Sequence, residues 1–497
     1  MTRCLVTGAT GYVGGRLIPE LLMKGYEVRV LARSPEKLRD ISWSDQVEII
    51  AGDALDPVAV NAALKDIDVA YYLLHSLQQG PDLEASEVAM AKVFADAAAA
   101  QQIGKLIYLG GLAPVLREEA MSPHMRSRVH VGKTLRASGV SMIELRAAVI
   151  IGSGSASFEM LRYLTERLPA MITPRWVRTK TQPIAIRDVL RYLTESAALP
   201  ASVSREFDIG GPDVMTYQDM MQIYAKVAGL RKRIILPINL LSPQLSSHWI
   251  NLVTPVPRSI ARPLVRSLRH PAVCTNDDIK QFIPDPPDGL LSFGNAVGRA
   301  LTRIRDAKVT TRWSGATLDG APSEPLPTDP SWSGGTLYND VRVVESTATP
   351  EEMWHAVERI GGDNGWYAAN FLWWVRGVFD KAIGGVGLRR GRRDPHTLLV
   401  GEPVDFWRVE ERTYPTLLRL RAEMKMPGKA WLEFRVEPRP DGGSTLHQRA
   451  VFWPRGLAGH SYWWAVAPFH AFVFPPMCKR IVEQAQAFTE ASGTIRQ

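Results

Sequence analysis

Cysteine is scarce in this chain. Cys4, Cys274 and Cys478 are its only three, far apart and with no CxxC pair. That usage excludes a disulfide framework and supplies no thiolate set for a structural zinc, so no metal is expected. Helix-turn-helix, zinc-finger and aromatic RNA-binding signatures are missing as well, and nucleic acid is not an expected partner despite a net charge of +8. A surplus of that sign favours phosphate-bearing ligands or anionic surfaces without naming one. The first residues read as a strand and not as a secretory leader, so a reducing cytoplasm is the expected compartment.

Long uncharged runs are also rare. Gly456 to Cys478 is one, with 23 residues and no formal charge, long enough to span a bilayer. Pro468, Pro475 and Pro476, with His460 and His470, interrupt it, which favours a buried terminal helix or a contact at the inner face of the membrane over a span. Apolar residues, at 45%, are plentiful enough for a large core, and 497 residues predict two or three domains.

The first informative stretch is a glycine loop. Leu5 and Val6 lead into Gly8, Gly11 and Gly14, after which apolar residues take helical spacing at Leu17, Ile18, Leu21 and Leu22. Strand, tight turn and helix in that order bring backbone N–H groups up to a pyrophosphate, and a Cβ at Gly8 or Gly11 would hold it away. Thr7, Gly8, Ala9, Thr10, Gly11, Tyr12, Val13 and Gly14 are therefore expected to hold a dinucleotide. A second strand runs from Glu27 to Leu31. Where an acidic residue would take the ribose of NAD, Ala32, Arg33 and Ser34 stand instead, so Arg33 and Ser34 predict NADP, with NAD left open.

Val47 to Asp53, Asp68 to His75 and Lys105 to Gly111 read as the third, fourth and fifth strands, separated by helical stretches such as Val88 to Ala100. Asp53, with Ala54, is placed to meet the adenine. Leu74 and His75, ending the fourth strand, face the nicotinamide side, and the expected role of His75 is a strand-end histidine capped by a backbone carbonyl. The fold class is α/β, a Rossmann doubly wound parallel sheet with its ligand at the carboxyl ends of the strands.

Together with the stretches "IELRAAVIIG" from Ile143, "QPIAIRDV" from Gln182 and "FDIGGPDVMTYQDMM" from Phe207, the loop resembles atypical short-chain dehydrogenases/reductases of the NmrA-like group across residues 1–302. The resemblance implies an NADP(H)-binding oxidoreductase, a redox sensor without turnover, or an accessory or assembly protein of a respiratory complex. The usual catalytic pair of that superfamily is Tyr-x-x-x-Lys, in which an ammonium lowers the phenol pKa. It is missing: none of the 13 tyrosines has Lys four residues on. Matching "TLRASG" from Thr134 to the same helix end in relatives puts His124 at the tyrosine position and Arg128 at the lysine position. Gly110 and Gly111 replace the usual serine, with Ser122 as its stand-in. Two readings follow. His124 is the proton donor, with Arg128 on the nicotinamide ribose or a substrate anion; or turnover is lost and both are polar helix residues beside a cofactor. Arg146 and the stretch Gly152 to Ser155 fall where relatives shape the substrate pocket. Pro237 to Pro271, with Trp249, Arg258, Arg262, Arg266 and Arg269, reads as a packed helical subdomain or an amphipathic lid.

Residues 303–335, rich in Pro, Gly, Ser and Thr, read as a linker without apolar period. Beyond it, residues 336–497 carry most of the tryptophans: of 14 in the chain, 10 fall in the last 167 residues, which suggests an aromatic lining. Alternating stretches from Asp340, Val404, Leu417, Ala430 and Ser444, with helical patterns at Pro350 to Ile360 and at the carboxyl end, predict an antiparallel sheet curled on a helix. "GGVGLRRGRRDP" from Gly384 and "PRGLAGHSYWWAVAPFH" from Pro454 resemble a family of unknown function, DUF2867, and the element order is similar to the α+β helix-grip (START-like) fold. Such a fold implies an apolar cavity, hence a hydrophobic carbonyl or quinone-like substrate, or a lipid carried without chemistry. Arg389, Arg390, Arg392 and Arg393 are candidates to clamp an anionic head group or the cofactor's phosphates across the domain interface, or form a solvated loop.

Overall fold

A computed structural model of the chain describes all residues except 1, 40, 76–82, 113–120, 239–253, 255–263, 310–335, 383–393, 395, 396 and 495–497. It divides into two compact units, Met1–Gly335 and Thr336–Gln497.

In the first unit, β1 (Arg3–Thr7), β2 (Glu27–Ala32), β3 (Glu48–Ala51), β4 (Val69–Tyr72), β5 (Lys105–Gly111), β6 (Met142–Ala147) and β7 (Glu206–Ile209) form one parallel sheet. Its order is β7-β6-β5-β4-β1-β2-β3. The chain therefore leaves β1 in one direction and later returns past it in the other, which opens a crevice above β1 and β4. Side chains alternate across the sheet as the pleat demands. Cys4 and Val6 pack with Leu17, Ile18 and Leu21 of α1 (Gly14–Met23) on one face. Leu5 meets Val60 and Leu64 of α2 (Pro57–Leu64), and Phe94 of α3 (Leu83–Ala100), on the other. Apolar residues on both faces explain why these strands read as nearly continuous hydrophobic runs.

The fourth strand is shorter than the run Asp68 to His75 predicts. The Leu73 N–H turns to the Thr7 hydroxyl at 3.1 Å, while that hydroxyl donates to the Tyr71 carbonyl at 2.9 Å. This side-chain insertion ends the ladder and releases Leu73 and His75 into the crevice, whereas Leu74, expected there too, packs against the core on the other face of the sheet.

Further helices are α4 (Pro123–Arg136), α5 (Ala156–Arg167), α6 (Ile186–Ser196), α7 (Tyr217–Val227) and α8 (Phe293–Val309). The last corrects the linker boundary: Arg303 to Val309 are helical. The rest of the linker, most of Pro237–Pro271 and the four arginines from 389 to 393 lie outside the described residues.

In the second unit, β8 (Tyr338–Ser346), β9 (Pro403–Val404), β10 (Trp407–Thr413), β11 (Leu417–Ala422), β12 (Gly428–Pro438) and β13 (Ser444–Pro454) form an antiparallel sheet in the order β8-β13-β12-β11-β10-β9. Its first strand thus pairs with its last. Three helices accompany it: α9 (Pro350–Glu358), opened by a Thr349/Glu352 capping box, α10 (Asn370–Ala382), and the long α11 (Gly456–Thr494). Sequence patterning missed α10. The tryptophans largely build the core here: Trp354, Trp366, Trp407 and Trp431 are buried, and Trp366 stacks on Phe406 with centroids 6.1 Å apart. Among the described residues no helix is long and apolar enough to cross a membrane, so the span reading of Gly456 to Cys478 is set aside.

Candidate functional site

The glycine loop closes the mouth of a cavity of about 470 Å³ at the carboxyl ends of β1, β4 and β5. Gly8 sits at φ +73°, and a Cβ there would stand 2.8 Å from the Leu73 carbonyl oxygen. At Gly14 a Cβ would stand 2.3 Å from the Gly8 carbonyl oxygen. Both positions therefore demand glycine for the turn itself. Gly11 differs: its N–H bonds the Gly8 carbonyl at 2.9 Å, and a Cβ would meet only that oxygen, at 3.0 Å. Its freedom serves the cavity, where Thr10, Tyr12 and Val13 also lie, at the start of α1. A cradle of backbone at a helix N-terminus fits a dinucleotide diphosphate.

The residues expected on the cofactor do not all line the cavity. Thr7 spends its hydroxyl on β4, and Ala9 is buried in the core. Arg33 is exposed at the end of β2, its guanidinium 3.8 Å from the Asp53 carboxylate, with Ser34 beside it opening a short 3-10 turn. Asp53 also accepts from the Leu55 N–H at 2.9 Å, and Ala54 is buried next to it. These four lie at the β2 and β3 ends and are not part of the cavity wall.

Across the cavity stand His75, His124 and Arg128. The His124 and His75 rings meet edge to face, 4.9 Å apart, with Nε2 to Nε2 at 3.0 Å. His75 is not capped by a carbonyl, as the sequence suggests; its Nδ1 lies 3.1 Å from the carboxylate of Glu87, a buried residue of α3 to which the Ser127 hydroxyl also donates. A carboxylate only accepts, so His75 holds its proton on Nδ1 and accepts at Nε2 from His124 Nε2–H. His124 Nδ1 is then an acceptor, and Ser267 Oγ lies 3.4 Å from it. Ser122 continues the line, its Oγ 2.9 Å from Ser267 Oγ. As the N-cap of α4, Ser122 also accepts the Met125 N–H at 3.2 Å, and it is not part of the cavity wall.

Arg128 is likewise partly committed. Its guanidinium donates to the Leu109 carbonyl and, at 3.4 Å, to the Leu74 carbonyl, and lies 4.9 Å from the centre of the Tyr108 ring. It ties the ends of β4 and β5 together while facing the cavity. Burial raises the Tyr108 and Tyr72 phenols above their ordinary range, so neither supplies the acidic phenol of the missing pair. The serine position is closed for a packing reason. A Cβ at Gly110 would stand 3.0 Å from Glu144 Oε1, and one at Gly132 would stand 2.9 Å from the same oxygen, so two glycines make room for one buried carboxyl group. At Gly111 a Cβ meets only Arg128 Cγ, at 3.9 Å. Arg146 is held by Asp208 at 2.8 Å and Glu206 at 3.2 Å, which makes it a brace between β6 and β7. Gly154 and Ser155 line the cavity.

Burial drives the His124 imidazole down to about 3, with His75 and then Arg128 adding to the effect. Burial and Arg128 lower His75 too, against the pull of Glu87. Both rings are therefore neutral at pH 7. In the unfolded chain His124 protonates near 6.5, so the native state loses stability as pH falls below that value, by up to about 1.4 kcal/mol per pH unit from this ring, and His75 acts in the same direction. Urea unfolding at pH 7.0 and 5.5 should show this loss, and His124→Gln should reduce it; an unchanged slope would contradict neutral burial.

A larger groove, of about 960 Å³, carries Lys226, Arg187 and Arg299 but no residue of the glycine loop, so volume alone does not locate the chemistry.

Residues 8–151 match the family described as NAD(P)H-binding, and residues 332–477 the family described as a protein of unknown function, DUF2867. The chain joins an NAD(P)H-binding Rossmann domain to a DUF2867 domain. Over 236 residues it is 28% identical to the ceramide reductase of Caulobacter vibrioides, covering 46% of this chain and 72% of that one. Cinnamoyl-CoA reductase 1 of Oryza sativa subsp. japonica is 27% identical over 124 residues, 24% of this chain and 37% of that one. The triphenylmethane reductase of Citrobacter sp., solved with NADP(H), superposes with a TM-score of 0.46 at 19% identity, over 60% of this chain and 99% of that one.

Glu87 and Ser267 escaped sequence reasoning. Glu87 had a usable signal, since a βα unit brings the first turns of its helix next to the strand end that precedes it, and His75 ends that strand. Ser267, 143 residues from His124, had none.

Proposed function

We propose that the protein is an NADP(H)-dependent reductase of a carbonyl or quinone-like group on a hydrophobic substrate. The observation that carries this reading is the hydrogen-bonded line Glu87, His75, His124, which ends in the cavity that the glycine loop closes. When bound, the dinucleotide supplies hydride. Gly8 to Gly14 hold its diphosphate, and Arg33 meets the 2′-phosphate. Leu112, Met125, Val149, Tyr217, Leu264 and Leu268 give the cavity apolar walls suited to the substrate. The first unit thus provides the lodging that the sequence suggested for the second.

Glu87 fixes the His75 tautomer, and His75 fixes the Nε2–H of His124. His124 gives that proton to the substrate oxygen as negative charge develops there. Ser267 gives a proton to His124 Nδ1 and is itself reprotonated from solvent, so no alkoxide is left and neither ring has to carry a full positive charge, which burial opposes. The test is NADPH oxidation with a panel of long-chain aldehydes, ketones and quinones, following the alcohol or quinol by mass spectrometry. Binding of NADPH with no oxidation across the panel, while an apolar ligand is retained, would favour the non-catalytic sensor or carrier instead.

Cofactor choice has its own test. Arg33→Ala should weaken NADPH binding by about 10-fold to 100-fold, the worth of one charge-assisted hydrogen bond, and leave NADH binding unchanged. Equal loss for both nucleotides in a titration would remove Arg33 from the 2′-phosphate.

A further inference from the structure

In the second unit, helix α10 is apolar on its outer side. The side turned inward carries Gly377 and Asp380, both buried, and Asp380 accepts the Lys425 N–H at 2.6 Å. The side turned outward carries Phe371, Trp374, Val375, Val378 and Phe379, at the spacing of one helical stripe, with Phe371 70% and Phe379 61% exposed. A water-facing helix surface normally shows the reverse pattern.

Helix α11 repeats the inversion. Its exposed side over the uncharged stretch carries Leu457, Trp464, Phe469 and Phe472, with Trp464 68% and Phe472 73% exposed. The two helices adjoin: the Arg376 guanidinium of α10 reaches the Tyr462 hydroxyl of α11 at 3.4 Å and lies 6.0 Å from its ring centre. Both outer sides thus expose aromatic rings on one unit, more than scattered surface residues would give.

The margins carry four cations, with Glu483 3.8 Å from one of them, Lys479. Lys381 stands in the last turn of α10, Arg455 precedes α11, and Lys479 and Arg480 close its uncharged stretch. The single acid of α10, Asp380, is buried. Tryptophan and phenylalanine bordered by lysine and arginine suit the boundary between acyl chains and anionic head groups, where rings enter the apolar layer and cations remain with phosphate.

From these observations we infer that the outer sides of α10 and α11 form a docking surface for an anionic lipid bilayer, lying in its interface without crossing it. A second copy of the chain would equally cover apolar rings, but two such faces would oppose cation to cation at their margins.

The experiment is co-sedimentation of the full chain with vesicles of phosphatidylcholine alone and of phosphatidylcholine with one-quarter phosphatidylglycerol. The full chain should partition at least tenfold better onto the anionic vesicles, and raising NaCl from about 50 to 500 mM should weaken that partition. Either double variant, Trp374→Ser with Phe379→Ser or Trp464→Ser with Phe472→Ser, should lower it at least tenfold, with the thermal melt of tryptophan fluorescence unchanged. Failure to bind anionic vesicles, or equal binding by the chain and both variants, overturns the proposal. A dimer in sedimentation that the variants dissolve, without vesicle binding, overturns it in favour of self-association.

Discussion

Gly11→Val is expected to remove NAD(P)H binding and leave the fold intact. Gly8 and Gly14 serve the turn as much as the ligand, the first through its φ of +73°, the second through the 2.3 Å approach to the Gly8 oxygen, so changing either confuses misfolding with lost binding. At Gly11 the backbone has φ outside the left-handed region, and a Cβ has one tight neighbour, at 3.0 Å. The branches of valine would then take up space on the cavity wall that the diphosphate needs. A rise of at least about 100-fold in the dissociation constant, or about 2.7 kcal/mol, is the expected size. Calorimetry measures it directly. A thermal melt gives a second reading, because a ligand at 100 times its dissociation constant stabilises the native state by about 2.7 kcal/mol, and the variant should lose that gain. Wild-type affinity in Gly11→Val would detach the loop from the cofactor.

His124→Ala is expected to lower kcat for carbonyl reduction by about 10²-fold to 10⁴-fold, the usual worth of a positioned proton donor, with NADPH affinity unchanged. The split between kcat and binding is informative, since His124 belongs to α4, across the cavity from the loop. Glu87→Gln should give a smaller loss: the amide can still bond His75 but presents an N–H as readily as an oxygen, so the tautomers of both rings are no longer fixed. Its signature is a kcat effect with KM near wild type. If both variants turn over as the parent does, the histidine line is structural and the donor lies elsewhere.

The β-α alternation of the first unit was legible because two-sided burial writes itself as apolar runs, and the glycine spacing fixed the place of the turn. The end of β4 was not legible, because it depends on the Thr7 hydroxyl intercepting the Leu73 amide from another strand. Helix α10 stayed hidden for a related reason: its apolar stripe faces outward, so patterning tuned to buried faces gives it no partner. His124, His75 and Arg128 were found singly. The contact between the two rings was not, since it is made by residues 49 positions apart, and Glu87 and Ser267 complete it from a third and a fourth segment. The tryptophans of the second half misled in one respect, for composition cannot distinguish rings that line a space from rings that fill it.

The carboxyl group of Glu144, wedged against Gly110 and Gly132, restricts how this scaffold could be refitted. Grafting a hydroxyl at position 110 would require evicting that acid first, so 110, 132 and 144 must be exchanged as a set or left alone. Position 111 has no such tenant. An engineer wishing to restore a more ordinary reductase centre would begin there.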